Sequence, residues 1–171
     1  MLMTTCEDVY SIDVMRRLCA WANLSPDPST QNAACLTTGD SILWDTLAVN
    51  EFPHGVKYLP ERWERPGKYS WIEHAERNAL FNAAKLGIPT HGLWMICPWA
   101  ACADCARAIV QCGIHKLITL APKEGDTHER WAASIGVAMD ILQEGEVRVE
   151  FIKGPLDLTF SIRRDGQPFH P

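Results

Sequence analysis

From His74 to Ile152 the chain alternates between runs with helical spacing and short apolar runs, and glycines mark several of the changes. Ala75, Ala79, Leu80, Ala83 and Leu86 line one face of a helix expected over His74–Leu86, closed by Gly87. Gly92–Cys97 reads as a strand. Cys102–Cys112 reads as a helix ended by Gly113, and Ile114–Leu120 as a strand. A helix over Glu129–Gln143, followed by Gly145, and a strand over Val147–Ile152 complete the series. Upstream, Asp8, Val9, Ile12, Val14, Met15, Leu18, Cys19 and Trp21 form an apolar stripe near helical spacing. Ser25-Pro26-Asp27-Pro28-Ser29 breaks that stripe. Ala33–Thr37 and Ser41–Val49, separated by Gly39-Asp40, read as a β-hairpin. Helices alternating with strands in this way argue for a three-layer α/β domain in which helices cover a mixed sheet. A length of 171 residues suggests one domain over residues 1–171.

Two stretches fall outside the alternation. Asn50 to about Tyr69 holds Pro53, Gly55, Pro60, Pro66 and Gly67, too many breakers for a regular element. A loop of that length in a compact domain is often functional. The tail from Pro155 to Pro171 either covers a neighbouring site or packs on its own domain, and its residues do not choose between them.

With 16 basic against 21 acidic residues the net charge is −5, and no basic run is present. Proteins that grip a phosphate backbone usually carry a basic face, so no long nucleic acid is expected as a partner. A small anionic ligand needs only one or two local cations. No apolar run reaches the roughly 18 residues of a membrane span. The start, Met1-Leu2-Met3-Thr4-Thr5-Cys6-Glu7-Asp8, lacks a basic segment followed by an apolar one, so a cytoplasmic location is expected. An odd set of seven cysteines fits free or metal-bound thiols better than disulfides.

The chemistry concentrates in two pieces. His74-Ala75-Glu76 opens one expected helix and Cys102-Ala103-Asp104-Cys105 opens the next. Thiols three residues apart share a helical face and can point at one ion. A helix start and a cation both favour the thiolate. One His and two Cys leave a fourth tetrahedral position open, the pattern of a catalytic zinc. Glu76, two residues after His74, is placed near the metal without ligating it, as general acid/base chemistry requires. Taken singly, the C-x-x-C could be a redox pair or half of a structural zinc site completed by Cys97 or Cys112.

The H-x-E and C-x-x-C pair resembles the cytidine and deoxycytidylate deaminase superfamily. Asn50-Glu51-Phe52-Pro53-His54-Gly55 resembles the asparagine-glycine-x-proline-x-glycine loop of the deoxycytidylate enzymes. His74-Ala75-Glu76-Arg77-Asn78-Ala79, Cys105-Ala106-Arg107-Ala108-Ile109 and Gly113-Ile114 resemble their two zinc helices. The likeness runs from about Gln31 to Leu120. Ala101 stands where the family usually has Pro, and Glu51 replaces a Gly.

The resemblance implies a three-layer α/β/α cytidine deaminase-like fold with a mixed central sheet, a Zn2+ cofactor and a homo-oligomer, hexamers being common among the deoxycytidylate enzymes. It implies hydrolytic deamination of a free pyrimidine nucleotide, dCMP to dUMP with loss of ammonia. Glu76 would carry protons to ring nitrogen and leaving amine. Backbone groups near Ala75 and Cys102 would orient water and ring, and Asn50 would bind the sugar. Arg62, Arg65 and Lys68, in the loop before the zinc helix, are candidates for a 5′-phosphate. Arg77 is expected to face away from the metal, and Trp99 is a candidate for shaping the pocket. Three other readings stand beside this one: a deaminase of another base or modified nucleotide, a nucleic-acid-editing deaminase, and a zinc-stabilised binding module without activity.

Overall fold

A computed structural model describes residues 4–5, 9–122 and 129–171. A six-stranded sheet lies at its centre, built from β1 (Thr4–Thr5), β2 (Ala33–Thr37), β3 (Ile42–Val49), β4 (Trp94–Ile96), β5 (Lys116–Leu120) and β6 (Arg148–Ile152) in the order β1-β6-β5-β4-β2-β3. β2 runs antiparallel to both neighbours, whereas β4, β5, β6 and β1 are mutually parallel. The parallel neighbours are reached through crossover helices α3 (Ala103–Gln111) and α4 (Glu129–Glu144), the connection a parallel pair requires. Helix α1 (Val9–Ala22) precedes β2, and α2 (Ala75–Leu86) lies between β3 and β4. The mixed sheet and layered helices are those expected. Asp8, the expected first residue of α1, lies outside the described residues.

Strand alternation sorts side chains into two cores. Ala34, Leu36, Met95, Leu117, Val149 and Phe151 pack with α2, α3 and α4. Ala33, Cys35, Ile96, Ile118 and Ile152 point the other way, against Met15, Leu18 and Cys19 of α1. Trp21, read as part of the α1 stripe, is instead exposed, and Ala22 takes the buried position.

The tail packs on its own domain. Leu156 and Ile162 enter the α1 core. A small hairpin, β7 (Ile162–Arg164) and β8 (Gln167–Phe169), follows. Arg163 and Gln31 exchange backbone and side-chain hydrogen bonds that moor this hairpin beside β2. The Asn50–Tyr69 segment is irregular as expected, apart from 3-10 turns at Pro60–Trp63 and Gly67–Ser70. Among the described residues no helix is long and apolar enough to cross a membrane.

Candidate active site

Two helix starts meet beyond the carboxyl end of β4. His74 is the N-cap of α2 and Cys102 the N-cap of α3, both with extended backbone. The start of α2 is fixed from the sheet. Asn50, just past β3, accepts the Ala75 N–H at Oδ1 (2.8 Å) and donates to the Thr30 carbonyl (2.8 Å). Asn78 and Asn82, one turn apart, donate to the Val49 and Leu47 carbonyls and so tie α2 to the edge strand. Gly87, with φ 68°, closes the helix in the left-handed conformation. The start of α3 is held by α4: the Ala103 N–H donates to Ser134 Oγ at 3.1 Å.

This convergence brings His74, Cys102 and Cys105 together. Cys102 Sγ lies 3.5 Å from His74 Nδ1, Cys105 Sγ lies 3.6 Å from it, and the two sulfurs are 3.5 Å apart. Zinc bound tetrahedrally at ordinary metal–ligand lengths has N···S and S···S edges of about 3.6 and 3.8 Å, so the triangle fits the ion. No fourth His, Cys, Asp or Glu joins the group among the described residues, which leaves one coordination position open. Cys97 is buried, is not a member of the group, and donates to the Trp99 carbonyl.

The electrostatics suit a cation. The Cys102 thiol is lowered to about 3, chiefly by the hydrogen bond it shares with Cys105 and against the effect of burial, with His74 adding to it. Cys105 is pushed up by that same bond and by burial. A divalent ion binds thiolates, so its entry would displace protons from such a pair. Burial pulls the His74 pKa down, but the Cys102 hydrogen bond and the nearby negative charges outweigh it. Arg77 corrects an expectation: it faces the metal site. Its Nη1 donates to Cys105 Sγ at 3.4 Å while its Nε pairs with Glu73 at 2.6 Å. The long side chain spans from α2 to the start of α3 and stabilises sulfur charge from outside the ligand set.

Glu76 is buried beside the triangle without belonging to it. Burial raises its pKa, and the Cys102 charge adds to the rise while His74 opposes it. Its Oε2 accepts from Asn32 Nδ2 at 3.2 Å. His74, Glu76 and Cys102 line a cavity together with Asn32, Asn50, Trp99, Trp131 and Arg164. Trp131 of α4 meets the His74 ring edge-on, with centroids 6.0 Å apart. Trp99 is pinned by its Nε1–H to the Gln31 carbonyl and stands edge-on to Phe169 of the tail hairpin.

The remaining expected contacts fare unequally. Lys68 lines the cavity but is buried, and its ammonium is held by both Asp27 oxygens at 2.6 and 2.8 Å. Arg62 and Arg65 are not in the lining. Arg62 lies over the Trp71 ring and donates to the Lys57 carbonyl. Arg65 pairs with Asp165 at 2.8 Å and bonds Ser29. Of the backbone groups expected near the ligand, the Ala75 N–H donates to Asn50, whose own amide is thereby engaged on both sides. Asp27, Asn32, Trp131, Arg164 and Asp165 line the cavity without having been singled out for it. A polar residue heading an apolar run, Asn32 before Ala33, is the one local signal among them.

Residues 10–121 match the family model for the cytidine and deoxycytidylate deaminase zinc-binding region. An uncharacterised deaminase from the luxG 3′ region of Aliivibrio fischeri is 34% identical over 134 residues, covering 78% of this chain and 86% of that protein. Human deoxycytidylate deaminase is 30% identical over 120 residues, 67% of this chain and 66% of the human one. The dCMP deaminase of cyanophage S-TIM5, solved with dCMP and dUMP, shares the fold with a TM-score of 0.66 at 23% identity, over 87% of this chain and 99% of the phage chain. The matched region contains the whole metal triangle, Glu76 and the two helices that carry them, and the chain belongs to the cytidine and deoxycytidylate deaminase family of zinc-dependent hydrolases.

Proposed function

We propose that the protein hydrolyses a free pyrimidine nucleotide, converting dCMP to dUMP and ammonia, with Glu76 as the proton carrier. The observation that carries this reading is a buried carboxylate adjacent to a three-ligand metal triangle, outside the ligand set, in the wall of a cavity. Zinc held by His74, Cys102 and Cys105 would supply Lewis acidity that lowers the pKa of a coordinated water to about 7. Glu76, whose pKa is raised by burial, is suited both to accept and to release a proton. It takes one from the attacking water and gives it to N3 as the C4–O bond forms. It then collects the remaining proton from the new C4–OH and passes it to the exocyclic nitrogen as the C4–N bond breaks and the C4 carbonyl forms. Water adds, ammonia leaves, and a uracil ring remains.

Trp99 and Trp131 supply aromatic surface in the lining, while Asn32 fixes the Glu76 carboxylate. For the 5′-phosphate, Arg164 replaces Arg62 and Arg65 as the favoured contact. It is a cation of the lining, held 4.7 Å from the Trp99 ring centroid and 5.3 Å from that of Phe169. Lys68 is committed to Asp27 and serves to build the cavity.

Ammonia release from cytidine, deoxycytidine, their monophosphates and the purine counterparts tests the reading. The expected result is highest kcat/KM for dCMP. Equal turnover of nucleoside and nucleotide would remove the phosphate from the reading, and purine turnover alone would remove the pyrimidine. Glu76→Ala should abolish ammonia release with zinc content unchanged; loss of metal along with activity would assign the carboxylate a structural role.

A further inference from the structure

Asn32 sits where the catalytic carboxylate meets the sheet. It directly precedes β2, and its carbonyl accepts the Asn50 N–H, extending the β2–β3 pairing by one step. Only 3% of the residue is exposed, yet it lines the cavity. Its Nδ2 donates to Glu76 Oε2 at 3.2 Å, the carboxylate oxygen being the acceptor. The other end of the same amide, Oδ1, is buried and has no hydrogen-bond partner among the described residues. A buried carbonyl without a donor is costly, and native structures rarely keep one without a use.

We propose that Asn32 reads the substrate: with Nδ2 holding Glu76, its Oδ1 accepts a hydrogen bond from the amino group that the ring loses. The inference rests on the deaminase reading above. Cytosine carries its N–H donors on the exocyclic amine, next to the N3 and C4 atoms on which Glu76 acts. A ring placed for proton transfer to Glu76 therefore brings that amine to the neighbouring end of the Asn32 amide. The carbonyl helps in two ways. It selects an amino group over an oxygen substituent at that position. It also orients one N–H away from the carboxylate, leaving the nitrogen lone pair for the proton that Glu76 delivers. The uracil product has no exocyclic donor there, so the contact is lost when ammonia leaves.

The test compares dCMP with its 4-methoxy counterpart, which yields the same uracil nucleotide but has no N–H at the leaving group. The methoxy compound is followed by turnover or, where it is not turned over, by competitive inhibition. In Asn32→Val both roles are lost. Efficiency with dCMP should fall at least about tenfold further than the methoxy value does, with zinc content unchanged. In Asn32→Asp an acceptor remains and the donor to Glu76 is gone. Rates should then fall for both compounds while the amino-to-methoxy ratio stays near that of the wild type. Equal losses for both compounds in Asn32→Val would overturn the inference and leave Asn32 as a support for Glu76 alone. No loss in either variant would overturn it as well. If the wild-type protein releases no ammonia from any cytosine nucleoside or nucleotide, the functional reading itself fails and this inference falls with it; an active wild type whose ratio is unmoved in Asn32→Val sinks only the inference.

Discussion

The part of the cavity that carries His74, Glu76, Cys102 and Cys105 is assembled from two helix starts, whereas Asp27, Lys68, Trp99 and Arg164 come from four separate segments. In the first, the spacing of neighbours along one helix already places the groups. In the second, each group is held by a partner far away in sequence: Lys68 by Asp27, Trp99 by Gln31, and the Arg164 hairpin by Gln31 and Arg65. On the proposed function, the difference separates chemistry from selection. Damage to the helix starts should remove the reaction, while damage to the assembled part should weaken the fold or change which molecule is accepted.

Cys102→Ala presses hardest on this contrast. It deletes one of three ligands, so zinc measured by atomic absorption should drop well below one per chain and ammonia release should fall to background. Persistent activity in metal-free protein would break the comparison at its stronger end. Lys68→Met should leave the metal site in place but strand the Asp27 carboxylate in the interior. Breaking a buried pair from one side costs about 3–5 kcal/mol, to be read from urea unfolding of the zinc-loaded protein. A loss under about 1 kcal/mol would mean that the pair behaves as a solvated one.

Smaller effects sharpen the boundary between the two parts. Arg77→Leu removes the donor to Cys105, and zinc affinity in competition with a chelator should weaken about 10–100-fold, the usual range for groups that support metal ligands. Unchanged affinity would reduce Arg77 to its Glu73 pair. Arg164→Gln should raise KM for dCMP about tenfold, the lower end for a charge-assisted hydrogen bond, and leave deoxycytidine and zinc content unaffected. A similar rise for the nucleoside would move Arg164 from phosphate recognition to cavity shape.

The two motifs could be read from the chain because the i, i+3 thiols and the H-x-E triplet are local, and helix geometry alone sets their direction. Periodicity carried the order of helices and strands for a similar reason: a face of period 3.6 or 2 is written into consecutive residues. Helix ends also followed local chemistry, with Gly87 closing α2 where a left-handed residue was needed. Local reading runs out where distance enters. Arg77 follows Glu76 by one position, yet the approach of α3 puts a sulfur within reach of its guanidinium. Arg62, Arg65 and Lys68 share one loop, and only the path of that loop brings Lys68 to the cavity and turns the arginines onto Trp71 and Asp165. Nothing local distinguishes Asp27, in a Pro-rich break, as the partner of a lysine beyond the β2–β3 hairpin.

By itself the sequence determined a layered α/β chain with a His, Cys, Cys metal set and a carboxylate beside it, because periodicity and short spacings bind residues that are already neighbours. Only the tertiary structure decided that Asn50 caps α2, that Asn32 holds Glu76, that Lys68 is buried against Asp27, and that the tail hairpin supplies Arg164 to the cavity. These contacts join residues separated by long stretches of chain. Their geometry follows from how the sheet registers and the helices pack on it, which no single segment specifies.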